Sequence, residues 1–221
     1  MKLLLTSGGI TNASIKDALV GMLGKPIADS SALCIPTAQW GHPMCGPASV
    51  RRFVTDQTPA TMCGLGWKSV GVLELTALPS IGRERWMLWV QATDVLLVDG
   101  GDATYLSYWM RESGLAELLP SLPGTVWVGL IAGSMVMTPR IGVDFVEWPS
   151  APDDCTLGIV DFAIFPHLDH PDLPWNTMAS ATRWAAGMAA PCYAIDDQTA
   201  IKVVDGTIEV LSEGQWNRLT P

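Results

Sequence analysis

Val128–Arg140, VGLIAGSMVMTPR, is the stretch on which the fold turns. The apolar run that enters it, TVWVGLI from Thr125 to Ile131, has the length and composition of a strand buried on both faces. It stops at Ala132-Gly133-Ser134, and a helix-like segment follows. A strand that turns abruptly into a helix through small residues has the layout of a nucleophile elbow, which lifts one side chain into a pocket. The tip of such an elbow carries Ser or Cys; here it carries Ile131. An ordinary strand–turn–helix with close packing produces the same pattern.

The rest of the chain repeats the strand–helix alternation. Candidate strands are Lys2–Thr6, Ala32–Ile35, Ser69–Leu75, Asp94–Val98 and Thr125–Leu130, and candidate helices are Ala13–Leu23, Ile81–Gln91, Tyr105–Ser113 and Ala132–Met137. Strands apolar on both faces that alternate with helices imply a mostly parallel sheet flanked by helices, an α/β fold. The last third reads differently. Ile159–Ile164 is a candidate strand and Met178–Ala189 a candidate helix; short strands follow at Ala194-Ile195, Ala200–Val204 and Thr207–Leu211. Asp205-Gly206 between the last two signals a small C-terminal hairpin. Ala38–Gly66, rich in Pro, Gly, Thr and Met, reads as a long loop with one helix. No linker or repeat interrupts the chain, so residues 1–221 are expected to form one domain.

Composition excludes several function classes. A net charge of −9 argues against a nucleic-acid partner, since phosphate binding needs a basic surface. No apolar run reaches the ~20 residues of a membrane span, and MKLLL, followed at once by polar Thr6-Ser7 and two glycines, reads as a first core strand rather than a leader. The 5 cysteines (Cys34, Cys45, Cys63, Cys155, Cys192) are irregularly spaced with no C-x-x-C pair, which points to reduced, mostly buried thiols in a cytoplasmic protein. No cofactor is implied.

Three stretches carry chemistry, all at carboxyl ends of strands, where open α/β sheets place ligands. The elbow is one. DGGDATYL, Asp99–Leu106, is the second: paired glycines before a helix let backbone N–H groups approach an oxyanion, although a plain turn needs no more. The third is FPHLDH, Phe165–His170, which holds two of the chain's 3 histidines. A His at a strand end suits a general base, with Asp144 as an orienting acid. His167, Asp169 and His170 are alternatively a weak metal-ligand set. His42 reads as a surface residue.

Order and spacing together resemble the aspartyl dipeptidase (peptidase E) family of serine peptidases, whose fold is akin to class I glutamine amidotransferases, a flavodoxin-like three-layer sandwich. Gly100-Gly101-Asp102 matches the family's Gly-rich loop; Gly129-Leu130-Ile131-Ala132-Gly133 matches G-x-S-A-G; Pro166-His167 matches the Pro-His that supplies the base. The resemblance implies Ile131 at the nucleophile position, His167 as base, Asp144 as orienting acid, and Gly100, Gly101, Asp102 and Ala132 around the oxyanion. The family's C-terminal acidic position falls on Asp196 or Asp197; Asp196 and Arg183 are candidate substrate contacts, Arg183 as a reader of a carboxylate. The implied activity is hydrolysis of Asp-X or related peptides, with Ile131 predicting its loss. Ser134, one helical turn beyond the tip, points away from His167 in this reading and does not substitute. The expected ligand is a small peptide or acidic small molecule, with no membrane partner and a homodimer as a candidate assembly. Alternatives are an isolated change in a working lineage, a pure binding module with Ile131 in its floor, and metal-assisted hydrolysis.

Overall fold

A computed structural model describes residues 1–58 and 60–220; Pro59, inside the Ala38–Gly66 stretch, and Pro221 lie outside them. The strands are β1 (Lys2–Thr6), β2 (Ser31–Ile35), β3 (Ser69–Val72), β4 (Val95–Val98), β5 (Val126–Leu130), β6 (Ala163–Phe165), β7 (Cys192–Ile195), β8 (Thr199–Val204), β9 (Thr207–Ser212) and β10 (Trp216–Leu219). The helices are α1 (Ala13–Leu23), α2 (Pro47–Val54), α3 (Arg83–Gln91), α4 (Ala103–Glu112), α5 (Leu115–Leu118), α6 (Ala132–Met135) and α7 (Met178–Ala185).

The main sheet runs β3-β2-β4-β5-β1-β8-β9. Its first five strands are parallel, β8 adds antiparallel to β1, and β9 adds antiparallel to β8. The period-2 alternation of each strand divides the core between the two faces. Leu3, Leu5, Leu96, Val98 and Trp127 pack on one side with Trp86 of α3 and Leu106 and Met110 of α4. Leu4, Val95, Leu97, Val126 and Val128 pack on the other with Ile15, Leu19 and Met22 of α1. These α1 residues recur at helical spacing, and the helix is closed by an Asn12 side-chain cap on the Ile15 N–H and by Gly24 in the left-handed region. The layering is the three-layer α/β arrangement read from the sequence.

The hairpin forms at Asp205-Gly206, both at positive φ (49° and 77°), as a tight primed turn requires. It extends the main sheet instead of standing apart. A smaller mixed sheet, β10-β7-β6, holds the end of the chain, and β10 carries no signal that the sequence reading used.

Several boundaries differ from expectation, each for a local reason. The strand expected at Ile159–Ile164 is only Ala163–Phe165. Ile159 and Val160 instead donate both N–H groups to the Met137 carbonyl, which folds this segment back on the chain after α6. The helix expected to reach Met137 stops at Met135, because Met137 and Thr138 bond three residues back and Pro139 follows. The helix expected over Met178–Ala189 ends at Ala185, two residues before Gly187. Ser69–Leu75 shortens to β3, a partly exposed edge strand, before a 3₁₀ turn at Leu75–Ser80.

Candidate active site

β5 delivers the first component. Ile131 follows its last residue with φ 49° and ψ −106°, and α6 begins at the next residue. A non-glycine residue at positive φ stores ~1–3 kcal/mol, more readily tolerated by unbranched side chains than by isoleucine. The surroundings impose the shape. A Cβ on Gly129 would lie 2.3 Å from the Gly133 carbonyl oxygen, and one on Gly133 2.3 Å from that of Val98. Only glycine permits these approaches. The Ile131 N–H donates to the Thr6 carbonyl at 3.1 Å, and the Ile131 carbonyl accepts from Ser134 and Met135. Ser134 is fully buried, and its hydroxyl donates to the Thr6 carbonyl at 2.8 Å, so it faces β1 and not the cavity.

The glycine loop after β4 lies against this turn. A Cβ on Gly100 would come 3.1 Å from Cδ1 of Ile131, so the isoleucine side chain covers this glycine. The Gly100 N–H is held by Asp99 Oδ1 at 2.8 Å, and the Asp102 N–H by the Ala38 carbonyl. The N–H groups of Gly101 and Ala132 have no hydrogen-bond partner among the described residues. Gly101, at φ 129°, sits where a Cβ would strike the Ala38 carbonyl. Asp102, grouped with the oxyanion loop on sequence, is fully buried and architectural. Its Oδ1 caps α4 through Tyr105, and its Oδ2 accepts from the Glu147 and Trp148 N–H groups at 2.7 and 2.8 Å.

His167 stands just past β6, also at positive φ (55°). Its Nδ1 is 2.7 Å from Asp197 Oδ1, and its backbone N–H donates to the Ser7 hydroxyl. That hydroxyl in turn donates to Asp197 Oδ1 at 2.9 Å, and His170 Nε2 lies 3.5 Å from Asp197 Oδ2. Burial works upward on the Asp197 pKa, but His167, Ser7 and His170 outweigh it and hold the carboxyl below its ordinary value. A charged carboxylate on Nδ1 leaves Nε2 as the nitrogen free for proton transfer.

The carboxylate that bonds His167 is Asp197, not Asp144 as expected from the sequence. Asp144 is exposed, on the 3₁₀ turn Val143–Phe145, and lines the cavity without bonding His167. Asp196, expected as a substrate contact, is turned the other way: it accepts from Gln198, Thr199 and Gln215 and ties together the loops between β7, β8 and β10. Arg183 does line the cavity, exposed on α7, with one N–H on the Ser180 hydroxyl. Among the described residues no group of three His, Cys, Asp or Glu side chains is arranged to hold a metal, which removes support from the His167, Asp169, His170 set.

Ile131, Gly101, His167, Asp144 and Arg183 share one cavity of about 870 Å³. His42, read as a surface residue, is half-buried and also lines it. So does Cys45, which sequence reasoning left unplaced; burial pushes its thiol pKa up, the opposite of what an attacking thiolate needs.

Beneath the glycine loop, Asp99 is 3% exposed and meets Gln39 Nε2 and the Gly100 N–H. Burial pushes its pKa up to about 7, against those two hydrogen bonds. A carboxyl raised from an unfolded value near ~4 stabilises the fold fully below that value and loses the contribution as pH rises towards its folded pKa. Asp197, shifted the other way, stabilises the fold above the ordinary carboxyl value and loses that contribution only as pH falls below about 4. Asp99→Asn should therefore gain stability over the parent between pH 5 and 8, on the order of 2–4 kcal/mol at the alkaline end. Urea midpoints of both chains across that range check this; parallel curves would contradict it.

A model of peptidase family S51 matches residues 3–211. The chain belongs to this family. Solved structures similar to this S51 member include a putative peptidase E protein from Listeria monocytogenes EGD-e, at 17% identity and TM-score 0.68, covering 96% of this chain and 98% of that one. Another is a peptidase from an acI-B1 Actinobacterium, at 19% identity and TM-score 0.66, covering 99% and 93% respectively. At such identities the likeness establishes the shared fold. A search of curated proteins finds no match.

Proposed function

We propose that this S51 chain holds small peptides in the cavity beside Ile131 without cutting them. The observation that carries the reading is Ile131 itself: an aliphatic side chain at the strained turn where an elbow presents its nucleophile, in the same cavity as His167, which Asp197 holds from behind. In this reading Ile131 stands at the serine position, His167 is the base, Asp197 orients it, and the Gly101 and Ala132 N–H groups are the oxyanion donors. The acid–base and donor groups lack only an atom able to attack a carbonyl. Arg183, at the cavity edge, would pair with a peptide carboxylate. The free cysteines Cys34, Cys45, Cys63, Cys155 and Cys192 fit a reducing, cytoplasmic setting.

The unaltered chain should show no dipeptidase turnover on Asp-X or other dipeptides, followed by release of free amino acid. A rate near ~1 s⁻¹, in the ordinary enzyme range, would overturn the reading and turn attention to Cys45, since Ser134 is sealed against β1.

A further inference from the structure

The chemistry of the cavity wall bears on which peptides fit, a preference that rests on the proposed reading of the cavity as a peptide site. Phe145, Phe165 and Trp184 all line it and pack edge to face on one another, with ring centroids 5.3 Å (Phe145–Phe165), 6.1 Å (Phe145–Trp184) and 5.6 Å (Phe165–Trp184) apart. The Trp184 indole N–H is spent on the Ile141 carbonyl, so the wall offers the cavity no free donor and its rings are fixed in place. At the mouth two further apolar side chains stand in solvent, Trp175 at 65% and Met44 at 87% exposure. Large apolar groups left exposed around a concave site are what a ligand's own apolar surface covers, and methionine adapts to varied shapes.

The charges oppose an acidic guest. Among the described lining residues the one permanently charged cation is Arg183, exposed and engaged by Ser180, while Asp144 and Glu147 both contribute carboxylates. An aspartyl side chain placed against the aromatic wall would be desolvated with no dedicated cation beside it, and such a burial is strongly unfavourable. A phenyl or isobutyl group there gains from burial alone.

We infer that the cavity selects peptides by a bulky apolar side chain, aromatic or long aliphatic, seated between the Phe145–Phe165–Trp184 wall and the Trp175–Met44 lip, and discriminates against an aspartyl side chain. Because Ile131 provides no nucleophile, equilibrium binding is measurable on the unaltered chain. Isothermal titration with the dipeptides Phe-Ala, Leu-Ala and Asp-Ala should give binding of the first two at least tenfold tighter than the third. Trp175→Ala, at an exposed position that does not threaten folding, should weaken Phe-Ala several-fold and leave the unfolding temperature unchanged. Asp-Ala binding as tightly as Phe-Ala, or a Trp175→Ala chain that binds Phe-Ala unchanged, would overturn the selectivity while leaving the peptide site standing. No binding of any of the three at millimolar concentration would overturn both.

Discussion

Ile131→Ser should give the chain measurable peptidase activity, and Ile131→Ala should not. Serine at this position keeps the turn, because Gly129 and Gly133 enforce it through contacts that do not involve the side chain at 131. It replaces a β-branched residue at φ 49° with a smaller one, relieving part of the strain. It also uncovers Gly100 and places a hydroxyl in the cavity that His167 lines. A triad stripped of one member retains at most ~10³–10⁴-fold catalysis over water, so restoring the nucleophile should raise dipeptide hydrolysis by at least about a hundredfold over the alanine variant. Both variants should unfold within a few degrees of the parent. The panel should contain dipeptides with apolar as well as acidic first residues. Equal inactivity of two folded variants would mean that the remaining groups no longer work together, leaving a binding module on a hydrolase scaffold.

The second large effect separates two acids. In the Ile131→Ser background, Asp197→Asn should lower kcat by about 10²–10⁴-fold, because the carboxylate that fixes the His167 tautomer and stabilises its charged form is lost. Asp144→Asn in the same background should change kcat less than about threefold, since Asp144 is exposed and does not bond the histidine. Stopped-rate assays of the two double variants settle the assignment, and a larger loss from Asp144→Asn would return the orienting role to it. Asp197 also holds the buried Ser7 hydroxyl, so its variant should be checked for folding by its thermal transition.

Much of the fold was legible in the chain because it is local. The doubly apolar strands, the Asp205-Gly206 turn and the small residues around Ile131 each act within a few positions. Asp144 as the partner of His167 misled because proximity to α6 in sequence says nothing about where the loop after it goes. That loop is pulled aside by Asp102, which pins the Glu147 and Trp148 N–H groups. Asp197 reaches His167 across 30 residues, through the junction of the β7 and β8 strands, and Gly8 lets β1's end approach it so closely that a Cβ there would lie 2.6 Å from the Asp197 Cβ. Asp196 and Asp197 were adjacent candidates, and only the path of the backbone distinguishes the one facing the histidine from the one that ties loops together. Cys45, His42 and Phe145 were out of reach because segments without periodicity bring them to the cavity, and the meeting of Phe145 with Phe165 of β6 and Trp184 of α7 depends on how that segment folds back.

If a working constellation surrounds Ile131 and lacks only its attacking atom, restoring a serine there should create a reactive one. A fluorophosphonate, which forms a bond only with an activated serine, tests this directly when followed by intact mass. One adduct, of the reagent mass less the HF lost, is expected at position 131 in Ile131→Ser, and none in the unaltered chain or in Ile131→Ser combined with His167→Ala. Labelling of the unaltered chain, or a folded Ile131→Ser chain that stays unlabelled, would contradict it.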